Sequence, residues 1–118
     1  VLQSLRSSGV RILLDDFGTG WSGLSSLRDL IVDGLKIDHS FVSRLHIDPS
    51  ARAIVRSIAL LAADLDLMIV YEGVDEPEVL DDLTPIGRCY VQSFTTARPM
   101  SARELAVWMD RRRVAQDA

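Results

Sequence analysis

Four short apolar runs in this chain end in side chains suited to chemistry on a phosphate ester. Asp15 and Asp16 close the first, Lys36 and Asp38 lie in the second, Glu72 closes the third and Gln92 the fourth. Adjacent carboxylates hold hard divalent cations through oxygen ligands. Two such ions about 3.5–4 Å apart clamp the attacking and leaving oxygens of an in-line phosphoryl displacement. A nearby lysine stabilises developing charge or positions a water. Glu72 can ligate a metal or act as a base, and Gln92 can orient a water or a substrate oxygen.

Each residue also has a purely structural use. Asp15-Asp16 can cap a following helix. Lys36 and Asp38, two apart on a strand, face one side and can pair. Glu72 can approach a helix start, and Gln92 can satisfy backbone groups. Charge near the interior of a parallel sheet is costly unless paired or metal-bound. The repetition of polar groups at every strand end therefore reads as the mouth of a (β/α) barrel, where active sites sit.

The elements that must position these residues alternate. Leu2, Leu5 and Gly9 read as the end of a helix and its stop. Val10 to Asp15 is nearly continuous and apolar, as buried parallel strands are. Gly18-Thr19-Gly20 forms a loop, Ser22 to Leu30 a short helix, and Leu35 to Asp38 a second strand. Asp48 suits an N-cap and Pro49 the first helical position. The helix that follows has Ile54, Val55, Ile58, Leu61, Ala62 and Leu65 on one face. Leu67 to Glu72 is the third strand. Asp75 and Glu78 have capping-box spacing before a helix to about Leu83, and Cys89 to Gln92 is the fourth strand. Ser101 and Glu104 repeat the capping box before a final helix with Leu105, Trp108 and Met109 on its buried side. Strand and helix alternate about four times, which predicts a parallel α/β architecture with right-handed crossovers.

Composition narrows the function classes. The 118 residues are 47% hydrophobic and 25% charged, a globular balance. The net charge of −4 and the lack of a broad basic patch argue against a DNA or RNA duplex as partner. Arg111-Arg112-Arg113 reads as a solvated helix end. The single cysteine, Cys89, excludes a disulfide framework, reads as a core filler and fits a reducing cytoplasm. No apolar run reaches the roughly 18 residues that span a bilayer. His39 and His46 lack ligand spacing. The chain opens on Val1 in what reads as a helix end, so the expectation is that a segment precedes it.

The strings themselves are distinctive. Asp15-Asp16-Phe17-Gly18-Thr19-Gly20-Trp21-Ser22 resembles the DDFGTG(Y/W)S segment of EAL domains, and Leu35-Lys36-Ile37-Asp38 with Ser40-Phe41-Val42 resembles their LKID-x-SFV segment. Glu72-Gly73-Val74, Tyr90-Val91-Gln92 and Arg98-Pro99 match further landmarks in the same order. The resemblance implies a TIM-like barrel that hydrolyses cyclic di-GMP to a linear dinucleotide with Mg²⁺ or Mn²⁺. It implies Asp15 and Asp16 as metal ligands and Lys36 beside the metals and the nucleophilic water. Glu72 would be a ligand or base, Gln92 would hold the metal-site water, and the loop Phe17 to Ser22 would couple substrate binding to homodimerisation.

The family's Glu-Ala-Leu segment does not occur in this sequence, nor do the Asn and Glu ligands expected between it and Asp15. Such a barrel takes roughly 200–250 residues, so residues 1–118 are expected to be its C-terminal half, a partial barrel inactive on its own. Its open sheet edges predict self-association. Three positions depart from the family pattern: Tyr71, Asp75 and Ser93 stand where a small residue, Glu and Gly are usual. Tyr71 is expected to crowd the mouth. The alternative reading is a degenerate, non-catalytic module that binds cyclic di-GMP or a protein partner.

Overall fold

The computed structural model describes residues 1–19, 24–29, 31–83 and 86–117. Four strands form one sheet in the order β1-β2-β3-β4: β1 Leu13–Phe17, β2 Gly34–Ile37, β3 Met68–Glu72 and β4 Cys89–Gln92. Every neighbouring pair is parallel. The helices between them are α1 Leu2–Ser7, α2 Leu24–Asp29, α3 His39–Val42, α4 Pro49–Asp64, α5 Pro77–Asp82 and α6 Ala102–Asp117. The expected partial (β/α) barrel is thus the observed architecture, with β1 and β4 at the sheet's two edges.

Alternation along the strands divides the sheet into two faces. Leu35, Ile37, Ile69 and Tyr71 pack with Val42, Leu45, Val55, Ile58, Ala59, Ala62 and Val79 in one core between sheet and helices. Lys36, Val70 and Glu72 take the intervening positions on the opposite face and are only half-buried. That opposite face is the inner wall of the barrel. Gly34 is obligatory there: a Cβ at this position would lie 2.6 Å from the Met68 carbonyl oxygen and 2.8 Å from Leu13 Cδ2.

The long helix α4 begins as its sequence dictates. Asp48 accepts hydrogen bonds from the amides of Ser50 and Ala51, and Pro49 fills the first turn. Its buried face is Ala51, Val55, Ile58, Ala59 and Ala62, whereas Ile54 and Leu65 are exposed. The buried stripe keeps Val55, Ile58 and Ala62 of the face expected and adds the small residues Ala51 and Ala59, with Leu61 half-buried beside it. Asp33 staples the barrel's lower rim: its carboxylate accepts the Ile12 amide at 2.8 Å and the Arg6 guanidinium at 2.9 Å.

Several local expectations are corrected. The first strand runs Leu13–Phe17, not Val10–Asp15, so Asp15 and Asp16 lie inside it. Asp38 leaves the second strand and caps α3, a four-residue helix too short for periodicity to reveal. Asp75 caps nothing; α5 starts after Glu76, which makes no side-chain cap. The capping box of α6 does form, with the Ser101 amide donating to Glu104 and the Glu104 amide to Ser101. Yet α6 buries none of its residues, including Leu105, Trp108 and Met109. Arg112 instead stacks on the half-buried Trp108 ring, 4.6 Å from its centroid. The expected helix Ser22–Leu30 is observed over Leu24–Asp29; Ser22, Gly23 and Leu30 lie outside the described residues.

Candidate active site

Three strands deliver carboxylates and a lysine to one point on the inner wall. Asp15 comes from β1, Lys36 from β2 and Glu72 from the end of β3. On a regular strand Asp16 would turn away from Asp15 to the helix side. It does not, because β1 is irregular between Leu14 and Phe17 and Asp16 adopts φ +52°. Such a bulge re-aims a side chain, and left-handed backbone is tolerated best by Asp, Asn and Gly. One oxygen each from Asp15, Asp16 and Glu72 then lies within 4.8 Å of the others.

Lys36 neutralises part of this cluster. Its Nζ stands 2.6 Å from Glu72 Oε1 and 3.7 Å from Asp15 Oδ1. The hydrogen bond to Glu72 raises the lysine's pKa above its ordinary value against the opposing effect of burial. Lys36 therefore pairs across the strands to Glu72 and Asp15, not along its own strand to Asp38. One lysine does not balance three acids. Asp16 shows the residual crowding: the charge of Asp15, then burial, pushes its carboxyl above the usual range. Asp38 lies within hydrogen-bond reach of Asp16, while its own carboxylate is held low by the Ser40 hydroxyl and amide.

Gln92 sits beside Glu72 on β4, its register partner. The Gly73 amide donates to the Gln92 carbonyl at 2.8 Å. A groove of about 610 Å³ opens there, lined by Glu72 and Gln92 with His39, Asp75, Phe94 and Arg98 on its walls. Gly73 turns the chain away from β3 with φ +71°, and any Cβ there would overlap the His39 ring. The five expected site residues are thus gathered at one rim. His39, the first residue of α3, lines the groove too; the nearness of Asp16 to Asp38 depends on the bulge, which no spacing signals. Tyr71 does not crowd the mouth. It faces the helix side, 2% exposed, against Leu45 and Val55. Of the loop Phe17–Ser22, Gly20 to Ser22 lie outside the described residues.

A parallel α/β sheet whose carboxyl rim gathers three acids, a lysine and a glutamine defines a barrel protein with a polar rim site. Residues 1–99 match the family model of the EAL domain, and the chain belongs to that family. The probable cyclic di-GMP phosphodiesterase PdeG of Escherichia coli is 43% identical over 104 residues, 88% of this chain and 20% of PdeG. The EAL domain of Mycobacterium smegmatis DcpA superposes with a TM-score of 0.82 at 40% identity, over 93% of this chain and 49% of that one. Klebsiella pneumoniae BlrP1, in a complex with manganese and cyclic di-GMP, superposes with a TM-score of 0.70 at 38% identity, over 79% of this chain and 24% of that one. The chain therefore spans about a fifth of PdeG and about half of the DcpA domain.

Proposed function

We propose that residues 1–118 are the C-terminal half of a metal-dependent cyclic-di-GMP phosphodiesterase barrel, whose other half, with the Glu-Ala-Leu segment, completes the active site. The observation that carries this is the convergence of Asp15, Asp16 and Glu72 around Lys36. The BlrP1 complexes with cyclic di-GMP contain manganese or calcium, which supports a divalent cation here.

The donor set fits Mg²⁺ or Mn²⁺. Carboxylate oxygens are the hard ligands these ions take. The raised pKa of Asp16 records excess negative charge that a cation would offset. Asp15, Asp16 and Glu72 would hold the ions, which when bound supply Lewis acidity and charge neutralisation at the phosphodiester. Lys36 stays protonated at neutral pH, so it serves as a cationic donor to the water or the phosphate, not as a base. Glu72, oriented by Lys36, would serve as a ligand or as the base that accepts a proton from the attacking water. Gln92, one strand over, orients that water through its amide. The loop Phe17–Ser22 would carry homodimerisation, and the lone half-buried cysteine fits a reducing cytoplasm.

The test is the intact protein with cyclic di-GMP and Mn²⁺, read by chromatography of linear pGpG. Turnover is expected from the intact protein and none from residues 1–118 alone. Ordinary turnover by the isolated chain would overturn the need for further ligands. Asp75 and Ser93 keep the degenerate module as the second reading: calorimetric binding of cyclic di-GMP without product would select it.

A further inference from the structure

Asp75 is not one of the three converging carboxylates, and it caps no helix. Its Oδ1 accepts the Phe94 amide at 2.9 Å, which ties the connection after β3 to the turn after β4. That turn is otherwise closed on itself. The Ser93 and Thr95 hydroxyls share a hydrogen bond, the Thr95 amide donates to Ser93 Oγ at 3.0 Å, and the Ala97 amide donates to the Ser93 carbonyl at 3.1 Å. Phe94 is 58% exposed as it leaves the turn, and the Arg98 guanidinium lies over its ring, 5.0 Å from the centroid. Phe94, Arg98 and Asp75 line the same groove as Glu72 and Gln92.

We propose that Asp75 is a positioning residue. Its carboxylate fixes the Phe94 backbone and so sets the distance between the Phe94–Arg98 wall and the Glu72–Gln92 floor. The substrate portion lying against that wall is held by a surface whose place depends on one hydrogen bond. Only an acceptor oxygen of aspartate length is needed; the negative charge is not. This rests on the phosphodiesterase reading for the identity of the substrate, but the hydrogen bond is testable without it.

The experiment compares Asp75→Asn and Asp75→Ala in the intact protein. Asparagine keeps an acceptor at the same reach and loses the charge; alanine loses both. Asp75 is exposed, so neither change removes a core contact. Hydrogen–deuterium exchange at the Phe94 amide, read by fragmentation mass spectrometry, is expected to stay slow in Asp75→Asn and to quicken roughly tenfold in Asp75→Ala. With Mn²⁺ and cyclic di-GMP, KM should rise roughly tenfold in Asp75→Ala, with kcat within about twofold, and stay near wild type in Asp75→Asn. Equal damage by both variants, or a fall in kcat shared by both, would show that the charge acts in the chemistry and would overturn the proposal. So would unchanged Phe94 exchange in Asp75→Ala. If the wild-type protein neither binds nor cleaves cyclic di-GMP, the substrate assignment fails, and the exchange measurement still decides the clamp.

Discussion

Replacing Lys36 by methionine isolates the electrostatics of the site. The change keeps most of the apolar stem and removes the cation 2.6 Å from Glu72 and 3.7 Å from Asp15. Both partners of the shorter pair are largely shielded, at 19% and 18% side-chain exposure, so solvent screening discounts the interaction only partly. Truncating one partner of a buried pair costs about 3–5 kcal/mol, because it leaves an uncompensated charge. A separate ceiling applies: a stranded carboxylate takes up a proton, which for an ordinary glutamic acid at pH 7 costs about 3.7 kcal/mol. The expected destabilisation is therefore about 2–4 kcal/mol at pH 7 in metal-free buffer. It should shrink to about 1 kcal/mol near pH 5, where protonation is nearly free. Millimolar Mn²⁺ should recover most of the loss, since a divalent cation replaces the missing charge. The assay is urea unfolding of the intact protein at both pH values, with EDTA or Mn²⁺. A loss below about 0.5 kcal/mol, or one that ignores both pH and Mn²⁺, would refute the view that Lys36 balances this cluster.

Three further outcomes follow from the packing and the charges. Gly34→Ala forces a Cβ against the Met68 carbonyl and should cost about 1–3 kcal/mol in urea unfolding; a neutral result would contradict the close approach of β2 and β3. Tyr71→Phe should leave kcat and KM for cyclic di-GMP near wild type, because the ring faces α4; a change in turnover would place it at the mouth after all. Asp33 has its carboxyl held below the ordinary value of 3.8, first by the Ile12 amide and then by Arg6. A depressed folded-state pKa contributes stability above pH 3.8 that is lost as pH falls through the lower folded value. Asp33→Asn should therefore flatten the acid limb of a thermal melt below about pH 4, and an unchanged limb would sink the assignment.

Much of the fold was legible because parallel strands buried against helices are short, continuous and apolar. Cys89–Gln92 and the Asp48-Pro49 start of α4 appear at the residues expected. The convergence of Asp15, Asp16 and Glu72 was legible for a related reason: charge on a buried strand needs a purpose, and three strands carried it. What escaped was set by tertiary contacts. The first strand starts three residues and ends two residues later than expected, and the bulge at Asp16 inside it has no local signature. Asp75 has the spacing of a cap, but its oxygen goes to Phe94, nineteen residues away. The apolar residues of α6 suggested a buried face, whereas none of them is fully buried and only Trp108 is half-covered among the described residues. Hydrophobic residues report that a surface wants a partner, not which segment provides it.

Binding of Mn²⁺ to the intact protein, followed by calorimetry, bears most directly on the whole account. Wild type should take up the ion, and Asp16→Asn should weaken it at least tenfold without lowering the melting temperature of the metal-free form, since the change removes charge crowding. Undiminished affinity in that variant would mean that the acids of β1 and β3, though gathered together, hold no metal.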